Sequence, residues 1–400
     1  MTTALEAAEV GYEVILVEKD PILGGRVSRF YQYFPKLCPP LCGLEINYKR
    51  LKSNSKIQTF VHSEVDSISG DAGNYKVRIK TRPTYVNDKC VLCDKCADVC
   101  PAERDDEFNY GIGKTKAAFM PYKLAYPAKY VIDRVACGES CDTCVEACAY
   151  GAIDLRMQEE TTECEVASIV YATGWKPYDA ARLPNMNYGK LPNIINNVTM
   201  ERYASGQGPT KGDIVRPSDA KKVESVAFVQ CAGSRDENHL PYCSAICCLA
   251  SLKQAKYVRE ANPDAKVYIF YIDIRTPGRY EDFAAKIQED ENIVLIKGKV
   301  AKIEEGQDGK VVVEAEDILK GGKISVEVDL AVLATGMESS LAGTALPDFV
   351  RLDESGFVAP HLQRRGIHSA GVAKIPADVS SSIQDSTGAA LKAIQTVVGN

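Results

Sequence analysis

Short apolar runs alternate with helical stretches along this chain, and one order of them occurs twice. In the later copy, Val226-Ala227-Phe228-Val229-Gln230 reads as a strand and a helical stretch runs through Leu249 to Arg259. Val267-Tyr268-Ile269-Phe270-Tyr271-Ile272-Asp273 then reads as a strand ending in an acid, followed by Gly278-Arg279. Paired short strands follow near 293–304 and 311–316, and Asp329 to Leu333 runs into Ala334-Thr335-Gly336. The earlier copy repeats this. Helical Thr3 to Glu9 leads to the strand Val14-Ile15-Leu16-Val17-Glu18, then Gly25-Arg26. Short strands near 57–68 and 75–80 follow, and Ser168-Ile169-Val170-Tyr171 runs into Ala172-Thr173-Gly174.

Strands alternating with helices imply right-handed βαβ crossovers and parallel sheets covered by helices. The fold class is α/β, and two such units look like the two-dinucleotide-binding-domain flavoprotein fold. The first copy is interrupted between about 86 and 155, where eight cysteines sit. It also opens inside a helix. The first strand and the glycine-rich turn that should precede that helix are missing, so an N-terminally truncated sequence or a late-called start is expected.

Composition narrows the function. The chain has 400 residues, 45% hydrophobic and 26% charged, enough for two or three domains. A net charge of -6 argues against nucleic acid as the partner. No apolar run approaches the ~18 residues of a direct membrane span. The start lacks a secretory signal pattern. Most of the fifteen cysteines cluster at metal-ligand spacings, which suits a reducing, cytoplasmic setting.

The first run is Cys90-x2-Cys93-x2-Cys96-x3-Cys100-Pro101, the bacterial ferredoxin signature. The second is Cys137-x3-Cys141-x2-Cys144-x3-Cys148, one residue longer in its first gap, at Gly138-Glu139-Ser140. Three thiolates on a tight loop can face three irons of one cube, while the fourth points toward the other cube. Two [4Fe–4S] clusters with crossed ligands are expected. Cys90, Cys93, Cys96 and Cys148 would hold one, and Cys137, Cys141, Cys144 and Cys100 the other. Zinc needs only two cysteine pairs, so two runs of four favour clusters over zinc or disulfides.

A third group, Cys231-x11-Cys243-x3-Cys247-Cys248, lies where the second unit turns from strand into helix. A nicotinamide-binding turn there would be glycine-rich. The four thiols suit a third cluster; the alternative is a set of small buried residues in a rebuilt loop. Cys38-x3-Cys42 follows the Gly24-Gly25 turn and suits a flavin-adjacent redox pair, a structural role or service to a neighbouring subunit. Cys164 stands alone and reads as inert.

A dinucleotide site can be traced in the first unit. Glu18 ends its strand where an acid accepts from ribose hydroxyls. Gly24 and Gly25 let backbone come close to a cofactor, and Arg26 can meet phosphate. Val65 sits where strand backbone meets the adenine edge. Thr173 and Gly174 end a strand beside the cofactor, and Gly371, within Gly366 to Ala373, closes the site. In this order the pieces indicate FAD. Asp273 and Gly278-Arg279 read as echoes of duplication or as partner contacts. The four histidines form no triad-like arrangement. The expected layout has an FAD-binding domain in three parts, 1–85, 156–178 and 341–400. The ferredoxin-like insert takes 86–155, and a second dinucleotide-binding-like domain with the cysteine loop takes 179–340.

The Gly-Gly-Arg turn, the insert, Gln230-Cys231-Ala232-Gly233-Ser234-Arg235-Asp236 and Tyr242-Cys243-Ser244-x2-Cys247-Cys248 resemble the A subunit of heterodisulfide reductase. So does Ala370-Gly371 through Pro376-Ala377-Asp378-Val379-Ser380-Ser381-Ser382. The resemblance covers nearly the whole chain and implies a third cluster on Cys231, Cys243, Cys247 and Cys248 beside FAD. Tyr33-Phe34-Pro35-Lys36-Leu37-Cys38-Pro39-Pro40 and Cys42-Gly43-Leu44-Glu45-Ile46-Asn47 look closer to the A subunit of the quinone-interacting membrane-bound oxidoreductase complex of sulfate reducers. That implies electron exchange with adenylylsulfate reductase and with a membrane quinone subunit, at the inner face of the membrane through partner subunits. Two rivals stay open: a flavin-bifurcating core and an FAD-free, cluster-bearing scaffold.

Overall fold

The structure, a computed structural model, describes residues 1–34, 36–138 and 140–399. Pro35, in the Tyr33 to Pro40 motif, and Glu139, in the lengthened gap of the second cysteine run, lie outside the described residues.

The first unit opens with helix α1 (Thr2–Glu9), which buries Ala4, Leu5, Ala7 and Ala8 on one face. Gly11, at φ +106°, turns the chain into strand β1 (Val14–Val17). Helix α2 (Leu41–Ser53) buries Leu44, Tyr48 and Leu51 at helical spacing. Strand β2 (Ile57–Phe60) pairs with β1 in parallel. The expected run near 57–68 divides here, because His62 takes a left-handed φ of +53° and breaks the extended chain. Strands β3 (Ser63–Asp71), β4 (Asn74–Thr81) and β5 (Glu160–Val166) form an antiparallel meander. The cysteine-rich insert leaves between β4 and β5. Its neck is tied by a Val86–Ile153 bridge and by bonds from Asn87 N to Ala152 O and Asp154 N to Tyr85 O. Strand β6 (Ile169–Tyr171) ends this part.

The second unit follows. It comprises β7 (Ile194–Asn196), α3 (Asn197–Ala204), β8 (Ser225–Ala232), α4 (Cys247–Ala261), β9 (Lys266–Tyr271), α5 (Tyr280–Gln288) and β10 (Ile293–Lys297). A meander of β11 (Val300–Glu305), β12 (Val311–Glu316) and β13 (Lys323–Val328) leads to β14 (Leu330–Thr335). The parallel sheet has the order β7-β14-β8-β9-β10. Every residue of β14 is buried, as the continuous apolar run of a doubly covered strand requires.

The chain then returns to the first unit. Strand β15 (Ile367–Ser369) pairs in parallel with β6, and helix α6 (Val379–Val398) packs on α1. Asp378 caps α6 by accepting from Ser381 N at 2.7 Å. The two sheets differ in one respect. In the second unit β8 pairs with both β9 and β14. In the first unit the counterparts of those neighbours form separate pairs, β1–β2 and β6–β15, and no strand among the described residues joins them.

Candidate redox centres

The insert is wound tightly around its cysteines. Leu92 and Asp94 take left-handed φ values of +58° and +63°, which curl the first run into a loop ahead of Cys96. Tyr130 Oη donates to Asp94 Oδ1 at 2.6 Å and holds that loop to the body of the insert. Asp133 caps the short helix carrying Cys137 by accepting from Val135 N and Ala136 N. Cys96, Cys100 and Cys144 are buried in one apolar cluster with Val86, Ala117, Tyr130, Ile132 and Ile153.

The two runs interleave. Cys90, Cys93 and Cys96 line a cavity with Cys148, which comes from the other run. Apolar Val86, Val91, Ala152 and Ile153 wall the same cavity. The Cys144 thiol is pushed up by burial, and its interacting neighbours include Cys141, Cys137 and Cys100. Burial likewise pushes the Cys96 thiol up to about 12. Thiols in such surroundings hold their protons unless a cation is bound, and metal charge reverses that preference. The donor set therefore suits iron–sulfur clusters. Among the described residues, no three His, Cys, Asp or Glu side chains close on a point where a single ion would sit.

The third group gathers where β8 meets α4. Cys231, Arg235 and Ala245 all take left-handed φ values, +57°, +57° and +59°, so this loop is held in conformations that cost energy for residues other than glycine. Cys247 and Cys248 open α4 and are buried. Cys247 Sγ lies 3.6 Å from Thr335 O, and Cys248 Sγ lies 3.4 Å from Asp273 O. Burial raises the Cys247 thiol, and Cys231, Cys248 and Cys243 add to the rise.

This loop also crowds the exit of β14. A Cβ on Gly336 would run into Ser234 and would lie 2.8 Å from Leu240 Cδ1 and 2.9 Å from Ser244 Oγ. The Tyr178 ring lies against Gly233, and Tyr178 Oη meets His239 Nδ1 at 2.6 Å. In the first unit the matching exit is open. Thr173 is exposed, and Gly174, at φ +70°, faces open space.

The other first-unit residues surround that exit unevenly. Glu18 is half-buried and accepts from Asp20 N at 3.0 Å. Burial holds its carboxyl above the ordinary glutamate value, while the Asp20 N–H and the N-terminal charge pull the other way. Gly24, at φ +112°, is required by contact, since a Cβ there would lie 2.6 Å from Tyr48 Oη. Gly25 follows at φ +52°. Arg26 donates to Trp175 O at 2.5 Å and lies over the Trp175 and Tyr110 rings, so its guanidinium pins the insert beside the exit. Val65 is exposed at a bulge in β3. Gly371 donates its N–H to Asp385 Oδ2 at 2.8 Å. These residues suit a dinucleotide in the first unit, whereas the β14 exit of the second is crowded.

Cys42 is exposed on the first turn of α2, and Cys38 is half-buried beside Tyr33, whose N–H donates to Cys38 O at 3.2 Å. Cys164 lies in β5 with its sulfur 3.5 Å from Val77 O. Tyr178, His239, Glu201, Arg202 and Lys253 are absent from the residues expected above, because their partners are distant in the chain and no motif marks them.

The architecture is that of two-domain flavoproteins. Lactococcus lactis thioredoxin reductase superposes with a TM-score of 0.51 at 13% identity, covering 100% of this chain and 95% of that one. Thioredoxin reductase of T. acidophilum gives 0.50 at 15% identity, covering 100% and 93%. No protein-family model matches the chain. Its homologues over most of its length are the A subunits of heterodisulfide reductases, which are oxidoreductase components. It is 35% identical to the A subunit of the H(2):CoB-CoM heterodisulfide,ferredoxin reductase of Methanothermobacter thermautotrophicus, over 98% of this chain and 61% of that protein. It is 36% identical to the A subunit of the Ferredoxin/F(420)H(2)-dependent CoB-CoM heterodisulfide reductase of Methanosarcina acetivorans, over 98% and 51%. The chain thus spans about half to three fifths of the length of these relatives. No helix among the described residues is long and apolar enough to cross a membrane.

Proposed function

We propose that this chain is an electron-relaying subunit that carries FAD in its first unit, two [4Fe–4S] clusters in its insert and a third at Cys231, Cys243, Cys247 and Cys248. The interleaving of the two runs carries this reading. A cavity lined by Cys90, Cys93, Cys96 and Cys148 is what two ferredoxin-type clusters with exchanged fourth ligands require. A flavin exchanges electrons singly or in pairs, and clusters pass them one at a time. The chain's own residues supply position and charge. Glu18, Thr173 and Gly174 would orient the flavin's adenosine and ring ends, and the cysteines would hold the clusters in apolar walls that exclude water.

The finer reading places the protein between a membrane quinone module and a sulfur-metabolism reductase such as adenylylsulfate reductase. The motifs around Cys38 and Cys42 support it. A second reading, a flavin-bifurcating heterodisulfide-reductase-like core, is favoured by the relatives at 35–36% identity. Purification of the native complex, with its flavin, iron and polypeptides identified, decides between them. A quinone-reactive membrane component supports the first, and a heterodisulfide-reducing partner the second. Iron without flavin would leave the cluster-bearing scaffold.

A further inference from the structure

The second unit keeps the acid that, in the first unit, is free to meet a ribose. Asp273 follows β9 as Glu18 follows β1. Its role has changed. Asp273 Oδ2 pairs with Arg235 at 2.9 Å, while its backbone oxygen lies 3.4 Å from Cys248 Sγ. Arg235 belongs to the cysteine loop. Its backbone N donates to Tyr242 O at 3.1 Å, and its φ of +57° is a strained one for a long side chain. Arg235 and Cys231 also influence one another electrostatically: the guanidinium works against the burial that pushes the Cys231 thiol up. One fixed cation thus stands within the cysteine loop, tethered to a carboxylate whose own backbone oxygen lies against Cys248.

We infer that Arg235 is a positioning residue that raises the reduction potential of the group at Cys231, Cys243, Cys247 and Cys248, and that Asp273 both aims Arg235 and tempers its charge. The inference rests on the third-cluster reading. Reduction adds one negative charge to a cluster whose four thiolates already make it anionic. A guanidinium beside a ligand sulfur stabilises the reduced form more than the oxidised form, and a nearby carboxylate does the reverse. Arginine suits the position because it stays charged and can address carboxylate and sulfur together through its planar fork. The echo of a ribose-binding acid thereby becomes a charge setting for a metal site. Nothing in the pairing needs a dinucleotide in this unit.

The test is an EPR-monitored redox titration of the full chain, purified anaerobically, with iron counted in every sample. Cys247→Ser identifies the third cluster's signal as the one it removes. Arg235→Gln should keep the iron and move that signal to a lower midpoint potential, leaving the other two clusters where they were. Asp273→Asn should move it the opposite way. If Arg235→Gln loses the cluster, the upward shift in Asp273→Asn still decides the matter. Wild-type midpoints in both variants, or shifts of the same sign, would overturn the role of Arg235 with the cluster intact. Iron for only two clusters in the wild-type chain, unchanged by Cys247→Ser, would overturn the third-cluster reading itself.

Discussion

Lys253 Nζ and Glu201 Oε1 face each other at 2.9 Å with both side chains almost wholly buried. Glu201 also accepts from Tyr31 N at 3.0 Å and from Gln254 Nε2 at 2.7 Å. Lys253 donates to Gln32 O at 2.7 Å and lies among the Phe30, Phe34 and Tyr257 rings. The pair therefore clamps the 30–34 segment of the first unit onto α3 and α4 of the second. Arg202 extends the clamp to the insert, donating to Asn109 Oδ1 at 2.7 Å and to Arg29 O at 2.9 Å.

Breaking this pair from one side leaves a buried charge uncompensated. Glu201→Gln or Lys253→Met alone should cost about 3–5 kcal/mol, and the double variant should recover much of that loss. Denaturant unfolding of the four proteins measures it. Additive losses would mean that the two groups do not act as a pair. Hydrogen exchange in the 30–34 segment should rise in each single variant.

Crossed ligation separates the cysteines by run. Cys148→Ser should remove the same EPR signal and the same iron as Cys93→Ser. Cys100→Ser should instead match Cys141→Ser. A pattern in which Cys100→Ser matches Cys93→Ser would mean that each run serves its own cluster.

Glu18 is held above the ordinary glutamate value by burial, so the folded chain binds its proton more tightly than the unfolded chain does. Its contribution is fully present below the ordinary value and is lost as pH rises through the raised one. Glu18→Gln should flatten that part of the stability profile and leave the apo chain more stable at neutral pH. The same variant should weaken FAD binding, since it replaces an anionic acceptor by an amide. Thermal melts across pH 4–8 and flavin titration read the two effects. A neutral-pH melting temperature unchanged by the variant would refute the first.

The two Ala-Thr-Gly exits should respond differently to alanine. Gly336→Ala drives a methyl into Ser234, Leu240 and Ser244, at a cost of roughly 1–3 kcal/mol or more, and should reduce iron at the third group. Gly174→Ala meets no neighbour and strains only the backbone, so it should leave iron unchanged and reduce flavin. Equal iron loss in both would contradict this asymmetry.

Much of this molecule was written locally. The ferredoxin-type spacing of Cys90 through Cys100 and the alternation of β1, β2 and β6 with helices depend on residues close in sequence, so one chain read alone reveals them. The duplicated order also exposed Glu18 and Asp273 as counterparts. Their different fates were decided only in three dimensions. Asp273 is taken by Arg235, 38 positions earlier in the chain, whereas the Glu18 carboxylate accepts from the N–H of Asp20, two positions on. Arg26, read as a phosphate contact, also lies over the Tyr110 and Trp175 rings, which spacing cannot reveal because one comes from the insert and the other from beyond it. The clamp of Glu201, Lys253 and Arg202 has no motif at all. A buried charge is defined by what surrounds it, and those surroundings exist only once the two units have closed on each other.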